Sequence, residues 1–320
     1  SMGVLVREVT ALYAAYASGA EESPLGELPI QYADFAVWQR EFLRGEVLAR
    51  QLDYWRAQLS ELPPPLELPT DHARPAAPTF RAAQHQFALG PELAQALGEL
   101  SRREGATIFM TLLAAFQALL QRYTGRPEIV VGSNIANRTR VETEGLIGFF
   151  VNMLVLRTDF AGEPTFAELL GRVREMLLDA YAHQDVPFDR LVETLQPERG
   201  PHQTPFFNVV FSLQNAPAAP LEMPGLTLEP VMVGTGTAKY DLVVNMWADG
   251  DDLRGGVDYN AELFEAATVA RLVEHFESLL RHVALDPGAR LSEVELLSAA
   301  EGALLRQPVE VEEFGQSFSF

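Results

Sequence analysis

The stretch that decides the fold is EIVVGSNIANRTRVETEGLIGFFVNMLVLRTD, residues 128–159. Two of its segments, 129–132 and 151–156, are short and largely apolar, which is typical of buried strands. The loop between them is polar and contains Ser133, Asn134, Asn137, Arg138, Arg140, Glu142 and Glu144. Rigid strands fix the geometry of such a loop, so binding and catalytic groups are common there. The pattern predicts one wall of a functional site, although a solvated surface crossover accounts for it equally well.

Length and composition indicate a globular chain with one large domain or two smaller ones. The chain has 320 residues, of which 48% are hydrophobic and 21% are charged. Its 24 Lys+Arg and 44 Asp+Glu give a formal net charge of -20, which would repel a phosphate backbone, so we expect no nucleic-acid partner. The absence of Cys excludes disulfides and a Cys nucleophile. It also fits a reducing compartment, and we expect a cytoplasmic protein.

Neither a membrane span nor a signal peptide is predicted. The longest apolar run, 109–120, is interrupted by Thr111 and Gln117 and is too short for a bilayer. No basic region precedes an apolar core at the start of the chain. A helical pattern begins almost at Ser1, so we expect the chain to lack the first part of its domain. Such a chain would expose an apolar face, and we expect it to associate or aggregate.

Hydrophobic periodicity predicts helices and strands in alternation, followed by a strand-rich final third. Helices are predicted within residues 5–17, 48–59, 91–100, 107–123, 165–181 and 265–283. Strands are predicted at residues 80–89, 129–132, 151–156, 206–215, 226–233, 240–249 and 253–260. Prolines between residues 62 and 78 exclude regular structure and indicate an extended crossover between domains. This order predicts an α/β fold with a mixed sheet.

Residue chemistry alone identifies no catalytic base. The G-x-S-x-G, P-loop and H-E-x-x-H signatures are all absent from the sequence. His275 and His282 lie two turns apart on the last predicted helix beside apolar residues, which favours core or surface positions over a metal site. His183 precedes Asp185 and Pro187 at a predicted helix end, where closing the helix explains it better than a binding role.

Four motifs, taken together, resemble the condensation domains of nonribosomal peptide synthetases, which have a chloramphenicol-acetyltransferase-like fold. YADFAVWQR (32–40) is similar to the family's Y-x-D-[FY]-A-x-W-Q, and IGFFVNMLVLR (147–157) to its I-G-x-F-V-N-[TL]-x-x-x-R. HQDVPFDRLVE (183–193) resembles H-Q-D-x-P-F-[ED]-x-[LI]-V, and PFFNVVFSLQN (205–215) resembles P-[LF]-[FI]-[QN]-V-x-F. Supporting similarity extends from Gly3 to about Leu305.

The resemblance implies a two-lobed α/β fold with a tunnel between the lobes, of which this chain would hold mainly the C-terminal lobe, a mixed β-sheet flanked by helices. It implies a remnant of the N-terminal lobe at 1–61 and a Pro-rich interlobe crossover at 62–78. A C-terminal lobe at 79–305 and a tail or linker at 306–320 would follow. The family's H-H-x-x-x-D-G motif, whose second His acts in amide formation, lies just upstream of the position of Ser1. We therefore expect no catalytic residue in this chain, and no activity without the missing lobe.

Two stretches depart from the family pattern. RGPHQTP (199–205) stands where the family often has R-D-x-S-R-N-P, which leaves the contacts of that loop open. EVEEFGQSFSF (310–320) does not resemble the usual passage into an adenylation domain.

The family's partners are donor and acceptor peptidyl carrier proteins, which present phosphopantetheine-tethered aminoacyl or peptidyl thioesters, and an adjacent adenylation domain. The resemblance thus implies no directly bound cofactor and no metal. Carrier proteins are typically acidic, as this chain is, so we expect docking through local patches near Arg40, Arg44 and Arg50 or through apolar contacts. Tethering in one polypeptide would compensate for weak affinity.

Motif matching also implies residue roles. Arg138 would pair with the Asp of the upstream motif as a clamp across the lobes, because its planar fork suits a carboxylate. Further structural roles at the lobe interface would belong to Asp34, Trp38, His183 and Asp185. The tunnel candidates are Ser133, Asn137, Asn152, Gln214 and Thr237.

Two other functions remain open from the sequence. The chain could be a noncatalytic carrier-protein docking or scaffold domain. It could also be a relative of the heterocyclisation domains, which have an Asp-based motif in place of the His motif. The residues that precede Ser1 in a longer protein would separate these alternatives.

Overall fold

The computed structural model describes residues 1–197, 204–214, 222–223, 225–227, 236–298 and 301–303. Its helices are α1 (Met2–Ala17), α2 (Tyr32–Phe42), α3 (Gly45–Gln58), α4 (Pro91–Arg103), α5 (Ile108–Thr124), α6 (Phe166–Ala182), α7 (Phe188–Leu195) and α8 (Ala266–Leu285). Its strands are β1 (Ala82–Ala88), β2 (Glu128–Ile135), β3 (Asn152–Asp159), β4 (Val209–Gln214), β5 (Glu222–Met223), β6 (Leu226–Thr227), β7 (Leu242–Asp249) and β8 (Asp252–Asn260).

The predicted helices, and the predicted strands where the structure describes them, are confirmed, and two helices were not predicted. Asp34 explains the first of these, because its carboxylate accepts from the Gln31 amide at 2.8 Å and caps α2. The second, α7, begins directly after Pro187. Most of the predicted strand 226–233 lies outside the described residues, as do residues 199–203 and the tail 310–320.

Six strands form one mixed sheet in the order β1-β8-β7-β4-β2-β3. The β2–β4 and β4–β7 pairs are parallel, and the other three pairs are antiparallel. Helices α4, α5, α6 and α8 cover one face and enclose the main core. There Phe116 of α5 stacks on Phe211 of β4 at 5.2 Å between ring centroids.

The other face of the sheet is polar over several strands. The strand registers place alternate residues on this face, which we call the open polar face: Gln84, Gln86, Ser212, Gln214, Asn245, Trp247, Arg254 and Asp258. Gln84 donates to the Asp258 carboxylate at 2.9 Å. Four of these side chains are exposed, namely those of Gln84, Gln86, Gln214 and Arg254.

The first three helices pack differently from one another. Leu52 and Trp55 of α3 belong to the main core. Phe35 of α2 instead joins Leu146 and Phe150 in a second, smaller cluster, and α1 has no buried residue. The change of packing thus falls between α2 and α3, whereas the division into 1–61, 62–78 and 79–305 stays a prediction.

The Pro-rich crossover contains no regular element and is fixed by an ion pair. Arg74 binds Asp241 through both guanidinium nitrogens at 2.6 and 3.0 Å, and this contact raises the pKa of Arg74. Asn208 donates to the Leu66 carbonyl at 2.7 Å and to Asp241 at 2.6 Å. A cavity of about 300 Å³ lies beside this network, and its lining includes Asn208 of the fourth sequence motif. Arg74 and the Asn208 amide nitrogen both bind Asp241, which favours a structural role for them, whereas Asn208 Oδ1 is buried without a hydrogen-bond partner in the described structure.

No single helix in the described ranges is long and apolar enough to cross a membrane. Taken together, α4 and α5 are long and apolar enough for a span, but the pair is bent by 103°. Most of α5 is buried in the core. The described part of the chain also contains no group of three or more His, Cys, Asp or Glu side chains placed to hold a metal ion.

Candidate functional site

Two motifs that are distant in the sequence meet at the loop between β2 and β3. Phe35 of α2 packs on Phe150 at 4.8 Å between centroids, and Tyr32 meets the same ring edge-on at 5.2 Å. Tyr32 also donates its hydroxyl to the Phe149 carbonyl at 3.0 Å. A Cβ at Gly148 would lie 2.3 Å from the Tyr32 ring, so this close approach requires glycine. We call Tyr32, Phe35, Trp38, Leu146 and Phe150 the aromatic cluster.

Arg138 lies on the aromatic cluster and organises the loop around it. Its guanidinium stacks 4.1 Å from the centre of the Phe150 ring. The same group donates to the carbonyls of Thr143 and Leu146, the latter at 2.9 Å. Desolvation lowers the pKa of Arg138. Within the described ranges, Arg138 has no carboxylate in ion-pair contact.

Ser1 connects the start of α1 to this loop. Its hydroxyl donates to the Gly148 carbonyl at 2.7 Å and accepts from Arg138 Nη2 at 3.0 Å. The Gly148 amide also donates to Ser1 at 3.2 Å. The first residue of the chain therefore lies beside the guanidinium that the motif match singled out.

Trp38 and Arg140 form a second stack beside the first. The Arg140 guanidinium lies 4.3 Å from the centre of the Trp38 ring, and Trp38 stacks on Phe42 at 4.9 Å. Arg140 is exposed, and its place was not predicted because an arginine in a polar loop carries no sign of the ring that it will cover. The structure thus brings Asp34, Trp38 and Arg138 to one region, with Asp34 as a helix cap.

His183 and Asp185 hold α3 against the turn between α6 and α7. The His183 ring lies parallel to Tyr54 at 4.0 Å, and its carbonyl accepts from Trp55 Nε1 at 2.8 Å. Gln51 donates to the Asp185 carboxylate at 2.7 Å and accepts from its amide at 3.2 Å. Burial, followed by the Asp179 charge, raises the pKa of Tyr54 to about 12.

Gln51 and Trp55 are partners that the sequence reasoning missed. They are four residues apart on α3, so they share a helix face, and both are at most 2% exposed. A polar residue on an otherwise apolar face was the available signal, because a buried amide needs hydrogen-bond partners.

Asn152 braces the same turn from β3. Its amide nitrogen donates to the Gln184 and Val186 carbonyls at 2.9 and 2.8 Å, and its oxygen accepts from the Phe188 amide at 2.9 Å. Phe188 then packs on Phe207 at 5.7 Å between centroids. Through these contacts all four sequence motifs converge around β2 and β3.

The remaining tunnel candidates are spread over different environments. Ser133 is 1% exposed, and its hydroxyl has no hydrogen-bond partner in the described structure, so it lies beneath the surface. Asn137 is half-buried with a left-handed φ of 52° directly before Arg138. Gln214 is exposed at the end of β4, and Thr237 is exposed where it bridges to Arg81.

Comparison with known proteins gives a consistent match. The family model for the condensation domain matches residues 1–306. A linear gramicidin synthase chain of Brevibacillus parabrevis is 49% identical over 310 residues, which are 95% of this chain and 6% of that protein. Chondramide synthase cmdD of Chondromyces crocatus is 44% identical over 301 residues, which are 94% of this chain and 8% of that protein. The chain thus spans less than a tenth of the length of these curated relatives.

Solved structures share the fold. The X-domain from teicoplanin biosynthesis, solved in a complex with OxyB, has a TM-score of 0.80 and 30% identity, covering 93% of this chain and 67% of that chain. The four-domain nonribosomal peptide synthetase holo-AB3403 has a TM-score of 0.83 and 21% identity, covering 94% of this chain and 24% of that chain. The mixed sheet flanked by helices is therefore consistent with the predicted chloramphenicol-acetyltransferase-like fold.

Proposed function

This chain belongs to the condensation domain family, and we propose that it supplies one wall of the tunnel where such a domain joins two carrier-bound substrates. In the proposed reaction the acceptor amine nitrogen attacks the donor thioester carbonyl carbon. A C–N bond forms, the C–S bond breaks, and the thiol stays on the phosphopantetheine arm of the donor carrier. The amine proton passes to a base outside this chain. Holding two reactants in line supplies about 7–11 kcal/mol in well-oriented reactions.

The contact between Arg138 and Ser1 carries the proposal. Arg138 Nη2 lies 3.0 Å from Ser1 Oγ, which places the guanidinium at the start of α1. In the family that the motifs resemble, the Asp of the H-H-x-x-x-D-G motif lies just before the residue matched by Ser1. A carboxylate at that place would be within reach of Arg138 and would offset the desolvation that lowers its pKa. Arg138 is thus the proposed clamp between the two lobes.

The open polar face of the sheet is the proposed substrate side. Asn137, Gln214 and Thr237 are at least partly exposed and would contact the tethered substrates. Ser133 and Asn152 are buried, so they would act by supporting the main chain of this wall. In this scheme, Asp34 and Trp38 fix α2 to the loop, and His183 and Asp185 fix α3.

The proposed partners are donor and acceptor carrier proteins, an adjacent adenylation domain and an N-terminal lobe. The phosphopantetheine arms would arrive with the carriers. Arg40, Arg44 and Arg50 are exposed near α2 and α3, where they could contact an acidic carrier although the whole chain has a net charge of -20.

The test uses the longer protein that contains this chain, supplied with loaded donor and acceptor carriers. We expect an amide product by mass spectrometry, and a loss of at least about 100-fold in rate for Arg138→Ala, because a bidentate charge contact of this kind contributes several kcal/mol. Arg138→Lys keeps the charge, loses the fork and should also be impaired.

Arg172→Ala is the matched control, because Arg172 Nη1 also donates to two main-chain carbonyls, at 2.9 and 3.0 Å, but lies on α6. It should retain the wild-type rate within threefold. A wild-type rate in Arg138→Ala would contradict the clamp. A folded, fully loaded wild-type protein that forms no amide would contradict the proposed reaction.

A noncatalytic docking domain is the second candidate. The observation that favours it is the 30% identity to an X-domain that was solved in a complex with OxyB, another protein. In the same assay a docking domain would bind a carrier or another protein without forming an amide.

A further inference from the structure

The chain that follows α8 is bound back across the helices as a strap, which we define as residues 287–298. Near its start, the Ala167 amide of α6 donates to the Pro287 carbonyl at 2.9 Å, and the Leu291 amide donates to the Pro164 carbonyl at 3.2 Å. Thr165 and Arg290 form an isolated β-bridge. These contacts fix the beginning of the strap at the start of α6.

Apolar anchors and one arginine hold the middle of the strap. The side chains of Leu291, Val294 and Leu296 are buried and belong to the main core. Arg122 of α5 donates through Nη1 to the carbonyls of Leu291 and Val294 at 2.6 and 2.9 Å. Ser278 of α8 also donates to the Glu295 carbonyl at 3.3 Å, so the strap is held against α5 and α8 as far as Leu296.

At the far end the strap meets a buried histidine with partners on both ring nitrogens. His275 of α8 has a side chain that is 8% exposed. Tyr123 Oη lies 2.7 Å from His275 Nδ1, and both Glu301 carboxylate oxygens lie 3.1 Å from Nε2. Both ring nitrogens therefore have the hydrogen-bond partners that a buried polar side chain requires.

Glu301 also belongs to a helix cap. Its carboxylate accepts from the Ser298 amide and hydroxyl at 2.8 Å each, and its own amide donates to the Ser298 hydroxyl at 3.2 Å. This is a capping box, which starts the helical turn at residues 301–303. The Glu301 carboxylate therefore joins the turn to His275 of α8, and His275 in turn contacts Tyr123 of α5.

We propose that Tyr123, His275 and Glu301 form a clasp that holds the far end of the strap against α5 and α8. Both protonation states of His275 keep the two contacts, because a tyrosine hydroxyl can either donate or accept. Among the described residues, Arg122, Arg271 and Glu295 are the other charged groups that line the same surface. Opening the clasp would release the end of the strap while α8 and the sheet remain folded, as local unfolding allows.

Hydrogen exchange of the 320-residue chain at pH 7 tests the clasp. Exchange is measured by mass spectrometry in peptides from the strap, with peptides from α4 as the internal reference. His275→Gln should accelerate exchange at the end of the strap about tenfold, because a charged, shielded contact is lost. Tyr123→Phe removes one of the two contacts, and a smaller acceleration is expected.

The matched control is His282→Gln on the same helix, where an exposed ring bonds to the Ser278 carbonyl at 2.9 Å. In His282→Gln, the hydrogen-exchange rate of the strap should stay within twofold of the wild-type rate. Glu301→Gln changes a residue outside the helical core, so it decides the question if His275→Gln does not fold. Strap exchange within twofold of the wild type in Glu301→Gln, or equal acceleration in α4, would overturn the clasp.

Discussion

Arg138→Ala in the 320-residue chain tests whether this side chain organises the loop between β2 and β3. The substitution removes donors to the Thr143 and Leu146 carbonyls and to Ser1, together with the stack on Phe150. A hydrogen bond from a charged donor contributes about 1.5–3 kcal/mol and an exposed cation–π contact about 0.5–1 kcal/mol. Because Arg138 is half-exposed, solvent screens part of this sum, and we expect a loss of about 3 kcal/mol in the free energy of unfolding.

Urea unfolding followed by tryptophan fluorescence measures this loss, and Trp38 reports from the aromatic cluster itself. Arg172→Ala is again the control, because its guanidinium contacts two carbonyls without an aromatic ring or Ser1. With two charged donors lost and the same screening, we expect Arg172→Ala to cost about 1–2 kcal/mol, less than Arg138→Ala. The reasoning would be refuted by a free energy of unfolding for Arg138→Ala within about 0.5 kcal/mol of the wild type, the range typical of ordinary surface substitutions.

Three further predictions concern packing, a buried hydrogen bond and a carboxyl pKa. Gly148→Ala should lower the free energy of unfolding, measured in urea, by about 1–3 kcal/mol, because the new Cβ forces Tyr32 aside. Gly145→Ala is the control and should be nearly neutral, since its Cβ would meet its nearest neighbour at 3.5 Å. Equal losses for the two variants would contradict this reasoning. Trp55→Phe leaves the His183 carbonyl without its donor and should lower the free energy of unfolding by about 1–3 kcal/mol. Trp247→Phe on the open polar face is the control and should lower it less. The Ser298 amide, the Ser298 hydroxyl and then His275 lower the pKa of Glu301 from 4.5 to about 2, so its stabilisation should be complete above pH 4.5 and be lost as the pH falls toward 2. A carboxyl titration by NMR checks this value, and His275→Gln should move the midpoint upward.

The fold was more accessible from the sequence than the site. Apolar periodicity and capping residues such as Thr165 act locally, so the order of helices and strands could be predicted from neighbours in the chain. The helix α2 was missed although Asp34 supplies a local capping signal, because its aromatic residues pack on Phe150, a contact that lies outside any local window. The same limit applies to Gln51, which meets Asp185 across 134 positions of sequence.

Motif matching predicted part of the site, because some of its residues stand in recognisable local patterns. It singled out Arg138, His183 and Asp185, whose residue types stand in recognisable patterns. It did not distinguish exposed candidates such as Gln214 from buried ones such as Ser133, because alternate residues of one strand face opposite sides of the sheet. Whether a strand residue is buried depends on which face of the sheet the helices cover, and this is decided only when the sheet is assembled.

The packing of α3 has a consequence for recombining domains of this family. The Pro-rich segment 62–78 invites a junction for chimeras, because it contains no regular element. A junction there would take Gln51 and Trp55 from one parent, and Asp185 and His183 from the other. A junction at Arg44, between α2 and α3, keeps both pairs within one parent, but it divides the aromatic cluster, the stack of Arg140 on Trp38 and the contact between Ser1 and Arg138. The two junctions therefore break different contacts: the prolines divide the buried partners of α3, whereas Arg44 divides the contacts around Arg138.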